Sequence, residues 1–461
     1  MRSIDAFGYE TTFDSPEHAE QTLTSWNATA RAFLSHAANT PVHLSDTLKL
    51  TPDFALAQLA KGYFMLLLGR RELIPAAQEA YDAVTPLVPA LTPREKAYHD
   101  GLGLYLAGRM GPAADVLDAA LRAHPHDALL AKLVHAIRFI LGDPRGMRSS
   151  LEAIIGAYGP DHPSAGYING CYAFALEETG EYLAAERRGR DALVIAHDDA
   201  WGLHAVAHVY DMTGRSAEGV AWISRQPKAW EHCNNFGYHV WWHLALFHLD
   251  RGEYDRVLEL YDAEIRKEQS DDYRDISNAA SLLSRLELEG VDVGERWEEM
   301  AALSENRAED GCVVFADLHY LLALEGGGRP EAASRLLGEM RNRAQRQLGC
   351  MDSVAGEAGL PAAQGLHAFA SGDYAEAYGW LARARPHMQV VGGSHAQRDV
   401  FDRITIEAAL RSGLLREARA QIEDRVHRRG AMDRYAETRL ARIDELGRQR
   451  ASGAQKLAAA G

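Results

Sequence analysis

A short turn, glycine followed in most cases by Arg, Glu or Asp, recurs along this chain at nearly constant spacing. No other feature limits the fold as much. The turn appears at Gly69, Gly108, Gly142, Gly180, Gly214 and Gly252, then at Gly328, Gly372 and, less cleanly, Gly413. The first six are separated by 39, 34, 38, 34 and 38 residues, and the step from Gly252 to Gly328 is 76, twice 38. Each turn divides two apolar stretches of helical period. A glycine there ends the first helix of a pair in the left-handed conformation that residues with a β-carbon avoid. Small side chains follow it, as in Gly180-Glu181-Tyr182 with Ala184 and Ala185, and Gly372-Asp373-Tyr374-Ala375 with Ala377. They let the second helix pack closely on the first. No stretch alternates with period two for long enough to make a strand. Such a unit buries its apolar face only on its neighbours, so 461 residues need not split into separate globular cores.

The period and pattern predict an all-α fold, a right-handed superhelix (solenoid) of tetratricopeptide-like helix pairs. The expected division is an N-terminal helical cap over 1–50, the superhelix over 51–447, and a frayed, Ala- and Gly-rich tail over 448–461. Several blocks are similar to tetratricopeptide-repeat protein 38 and its bacterial relatives: 172–178, 201–219, 234–248, 281–288, 315–324 and 392–401. Ser284 stands where that family is expected to carry Trp, and His395 where it is expected to carry Asn. The resemblance spans roughly residues 50 to 430. It implies a right-handed superhelix of helix pairs and no particular reaction.

Composition narrows the class of partner. Acidic side chains number 65 against 49 basic ones, a formal charge of −16, and no basic stripe supplies the positive field that nucleic acid requires. No apolar run approaches the length of a membrane span. The start, Met1-Arg2-Ser3-Ile4-Asp5, lacks the apolar core of a signal peptide. Cys171, Cys233, Cys312 and Cys350 are scattered without CxxC spacing and read as reduced thiols. A soluble cytoplasmic protein that binds neither nucleic acid nor membrane is expected; the oligomeric state is not legible.

Chemistry concentrates in the central third. His204 and His208 lie four apart on one predicted helix, and His239 and His243 four apart on the next first-helix, so each pair shares a helix face. With the turn glycine counted as position 15, the groove-facing positions of such repeats are 2, 5, 9, 12 and 13. His204 falls at 5, His208 at 9 and His239 at 2, with Glu177 and Glu178 of the preceding repeat at 12 and 13. Three readings stay open. The imidazoles are core groups satisfied by their neighbours, or part of a polar pocket for an anionic or peptidic group, or ligands of a divalent metal such as zinc, iron, copper or nickel. Neither pair contains the Glu of an HExxH metallopeptidase; Glu177 or Glu178 would supply a base from outside.

Other candidates are weaker. Asp317 and His319 lie two apart on a helix, roughly 200° around it, so one is expected to face the groove and the other to pack between helices. The segment Gly392-Gly393-Ser394-His395-Ala396-Gln397-Arg398 fits a capping box. The same Gly-rich helix start, with His395 and Arg398 beside it, also makes a candidate anion site. Trp201, Trp222, Trp230, Trp241 and Trp242 cluster near the His pairs, mainly as gap-fillers between helices and secondarily as a stacking wall. Cys233 is a minor candidate nucleophile with His232 or His239. The reading with most weight is a protein that binds a peptide or small polar ligand in its concave groove. The alternative is an enzyme in which His204, His208, His239 and His243, with Glu178, act as metal ligands or as general acid and base.

Overall fold

The computed structural model describes residues 2–13 and 17–460, with side chains described through residue 452. Between Ala55 and Arg429 the chain runs as ten consecutive helix pairs, from Ala55–Leu67 with Ile74–Val84 to His395–Arg411 with Leu415–Arg429. This is an all-α superhelix of tetratricopeptide-like pairs. A last helix spans Arg434–Ala460. Alanines of the second helices, among them Ala77, Ala113, Ala185, Ala333 and Ala377, are fully buried, which is how consecutive helices approach so closely.

All nine turn glycines adopt positive φ, between 63° and 85°. A tenth, Gly290, has φ of 82° and ends the helix Tyr273–Leu288. It lies midway between Gly252 and Gly328, so the doubled interval contains a complete repeat whose turn reads Gly-Val instead of glycine followed by a charged residue.

The array curls until its later repeats stack on its earlier ones. The Cys350 N–H donates to the Gly108 carbonyl at 3.0 Å, Gln389 Nε2 to the Gly142 carbonyl at 3.3 Å, and the His395 N–H to Glu178 Oε1 at 2.8 Å. Arg429 Nη2 reaches the Asp211 carbonyl at 2.6 Å, and the Arg434 N–H reaches Asp250 Oδ1 at 3.3 Å. At Gly142 the approach is backbone against backbone: a β-carbon there would lie 1.8 Å from the Gln389 carbonyl oxygen. The groove of an open solenoid is thereby converted into an interior.

The N-terminal segment closes that interior from one side. A short antiparallel hairpin, Arg2–Ile4 with Glu10–Thr12, is fastened to the Glu95 carboxylate by Thr11 Oγ1 at 3.0 Å and the Thr12 N–H at 2.8 Å. Helices Ala19–Leu34 and Thr40–Leu50 follow. The turn between them is sewn to the loop before the second His helix: Asn234 N–H donates to the His36 carbonyl at 2.8 Å, and Ala38 N–H to the His232 carbonyl at 3.1 Å. This lays Phe33, His36, Pro41 and Leu44 against a cavity of about 320 Å³ inside the superhelix.

Candidate functional site

The two His pairs sit on neighbouring first helices, Ala200–Met212 and Phe236–Asp250. The helices belong to consecutive repeats, and the pairs are offset by three positions relative to their turn glycines. His204 Nε2 lies 2.9 Å from His239 Nε2 and 3.0 Å from His208 Nε2, and His243 Nε2 lies 3.2 Å from His239 Nε2. One nitrogen from each ring falls within 4.8 Å of all the others. His204, His208 and His243 are buried and His239 is half-buried. Only His204 and His239 border the cavity.

Burial holds all four rings in the neutral form. It pushes His208 down to about 3 and His239 down to about 4. His204 and His243 lie well below the usual imidazole range, first from burial and then from the neighbouring histidines. A neutral imidazole carries one N–H and one lone pair. His239 Nδ1 faces Asn278 Oδ1 at 3.1 Å, so the proton resides there and the Nε2 lone pair points into the cluster. His208 Nδ1 lies 3.6 Å from Glu177 Oε2, beyond hydrogen-bond distance, so that carboxyl does not fix its tautomer. A carboxylate or amide oxygen behind an imidazole is the usual support of a metal-binding histidine.

Lone pairs converging at this spacing suit a cation. With a zinc–nitrogen bond of about 2.0–2.1 Å, the edge of a tetrahedron is roughly 3.3 Å and that of a square roughly 2.9 Å. The three separations of 2.9, 3.0 and 3.2 Å fall at and between those values, and the other three pairs lie within 4.8 Å. The residues present therefore fit a divalent transition metal.

Glu177 and Glu178 behave differently although adjacent. Glu178 accepts the His395 N–H and faces Arg398 Nη2 at 3.5 Å. Burial pushes its carboxyl upward, but His395, Arg398 and His208 outweigh that and hold it low. Glu177 is fully buried, and neither carboxylate oxygen has a hydrogen-bond partner. Burial, and next the charge of Glu178, raise it well above the usual carboxylate range. Glu177, Glu178 and His208 form a second group whose donor atoms share one locus.

The Gly-rich helix start is capped as its spacing predicts, with the Ser394 and Gln397 side chains exchanging hydrogen bonds with each other's backbone N–H. The anion that meets this helix terminus is the chain's own Glu178, because superhelical closure brings it there. Arg398 is spent on the same closure, donating to the Gly393 carbonyl and, at 3.3 Å, to the Gly392 carbonyl.

Neither Asp317 nor His319 borders the cavity. Asp317 is paired with Arg343 at 2.7 Å, both buried. His319 is fully buried between Phe315 and Phe401, and its Nδ1 lies 2.7 Å from the Phe315 carbonyl. Of the tryptophans, Trp242 is buried against His239 and Trp222 donates to the Leu203 carbonyl at 3.0 Å, whereas Trp201 borders the cavity. The Cys233 thiol is pushed up to about 12 by burial and faces the Ser35 carbonyl at 3.7 Å, which does not suit a nucleophile.

Several cavity residues escape a reading confined to the His pairs. Lys132 and His135 stand on the helix Ala128–Ile140, whose one other charged residue is Arg138 in its last turn, and a buried-looking lysine within such a run was the available signal. His36 comes from the N-terminal turn and is held in a left-handed conformation at φ 60°. Nothing in its local sequence announces that it meets a helix two hundred residues away.

No family model matches the chain. It is similar to the human IFIT1 dimer with PPP-AAAA at 15% identity and a TM-score of 0.42, covering 94% of this chain and 95% of that one. It is similar to yeast Tom70 at 11% identity and a TM-score of 0.35, covering 92% and 88%. The TPR domain of P58(IPK) matches at 15% identity and a TM-score of 0.21, covering 75% and 88%.

Proposed function

We propose that this protein binds a small molecule in the cavity of its superhelix, beside a divalent transition-metal ion held by His204, His208, His239 and His243. The convergence of four neutral imidazole nitrogens carries the reading. With Nδ1 protonated, as Asn278 favours at His239, lone pairs would face one another at this distance, and one cation satisfies them in place of N–H···N hydrogen bonds. The position supports a binding role, since the cluster forms the inner end of a cavity lined mainly by aromatic and aliphatic side chains. Four protein ligands make a closed coordination shell, the pattern of sites that hold and orient rather than turn over.

An enzymatic reading is favoured by one observation, the unpartnered Glu177 carboxyl beside His208. A base there would serve a metal with a coordination position open toward the cavity.

The test is metal content. Chelator-stripped protein is dialysed against zinc and its bound metal counted by plasma mass spectrometry. One equivalent per chain is expected, lost in the double variant His204→Ala/His239→Ala while the helical circular dichroism persists. Wild-type protein that retains no more zinc than this variant overturns the proposal.

A further inference from the structure

Beside Trp201, whose ring also packs on His204 at 4.9 Å, the cavity wall holds a cation with no carboxylate in direct contact. Lys132 is only 4% exposed. Its Nζ has a single polar contact, Cys171 Sγ at 3.7 Å, and lies 4.3 Å from the centre of the Trp201 ring. Among the described residues no carboxylate oxygen lies within 4.0 Å of it. The nearest influential acid is Asp199, whose carboxyl burial pushes up to about 7. Near neutral pH it is only partly ionised, and it does not touch the ammonium. One helical turn beyond Lys132 stands His135, 2% exposed, with neither ring nitrogen partnered. His36 Nε2 and Trp201 Nε1 are also buried and unpartnered. All four residues border the cavity.

A buried ammonium without a counter-ion is expensive, as are unmade bonds at buried donors. Together, one lysine, one indole N–H and two imidazoles provide a single positive charge and a few neutral donors. That complement suits a monoanion with two acceptor oxygens. A phosphate would call for a bidentate guanidinium or a nest of free N–H groups, and the arginine of this wall, Arg274, is already paired to Asp272 at 2.6 Å. Beyond the polar patch the wall is Phe33, Phe64, Phe139, Phe236 and Phe315.

We propose that the cavity's ligand is a small monocarboxylate with an aromatic or aliphatic body, its carboxylate seated on Lys132 beside His135 and Trp201. The apolar body then packs on the phenylalanine side chains, with His204 at the same end of the cavity as the carboxylate seat. This deepens the binding reading above and rests on the cavity being the site, but it does not require the metal.

The test uses 4-phenylbutyrate and its uncharged amide as probes, by calorimetry on chelator-treated and zinc-loaded protein. Wild-type protein is expected to bind the acid and to bind the amide roughly ten- to a hundredfold more weakly, the difference a charge-assisted hydrogen bond makes. Lys132→Met is expected to weaken the acid by a similar factor, leave the amide unchanged and keep its zinc. Equal binding of acid and amide by wild-type protein, tighter binding of phenyl phosphate than of the acid, or no binding of the acid overturns the proposal. Because zinc content is read on the same samples, loss of the metal site and failure of the carboxylate site register separately.

Discussion

Replacing His319 by leucine should make the protein less sensitive to acid. The ring is fully buried between Phe315 and Phe401, and burial pushes its pKa down to about 3. In the unfolded chain the same imidazole titrates near 6.5. The sign follows from that order. As pH falls below the unfolded value, the unfolded state takes up a proton that the native state refuses, so stability is lost until the folded value is reached. Between about pH 7.5 and about pH 5.5 the loss from this one residue is about 1.4 kcal/mol, and by about pH 4.5 it is about 2.7 kcal/mol. Leucine removes the titrating group at similar volume, together with a bond to the Phe315 carbonyl worth about 1 kcal/mol. Paired urea titrations of variant and wild type, with chelator present, measure the difference at each pH. The variant should gain about 1.4 kcal/mol on wild type between the two upper pH values. A difference independent of pH would show that His319 takes up its proton as readily in the native state as in the unfolded chain, and the assignment of a neutral core histidine would fail.

Other substitutions test closure and metal support. Gly142→Ala forces a β-carbon to 1.8 Å from the Gln389 carbonyl oxygen and should cost roughly 3 kcal/mol or more. Gly180→Ala has a similar positive φ but open space around it, and should cost only about 1–2 kcal/mol. Thermal unfolding of the two side by side isolates what the stacking of superhelical turns contributes. Glu177→Gln removes the carboxylate behind His208 without changing its volume. Because burial holds this carboxyl neutral and it makes no hydrogen bond to His208, zinc affinity in competition with a chelator dye should change by less than about tenfold.

Much of the fold was legible because it is local. A glycine in the left-handed conformation and small residues in the next helix act within one repeat, so Gly69 through Gly252 announce themselves. Gly290 was hidden only because the residue after it is Val291 rather than a charged one. The His pairs were legible for the same reason: spacing of four and equivalent repeat positions place His204, His208, His239 and His243 together without long-range information. Closure is different in kind. Glu178 meets His395 across 217 residues, a consequence of small rotations accumulated over many repeats, and no window of sequence contains it. That is why the helix start at Ser394 reads as a free anion site when Glu178 fills it. Of Asp317 and His319, one of which is expected to face the groove, neither borders the cavity, and Asp317 neutralises Arg343. Lys132, His135 and His36 become one wall only after the same accumulation of turns.

The central claim is that four histidines hold one metal ion. Crystals grown with zinc, measured on both sides of the zinc absorption edge, test it most directly. The account predicts one strong anomalous peak among the rings, about 2.0–2.1 Å from each Nε2. Zinc bound elsewhere, with the four imidazoles linked only by N–H···N hydrogen bonds, would contradict it.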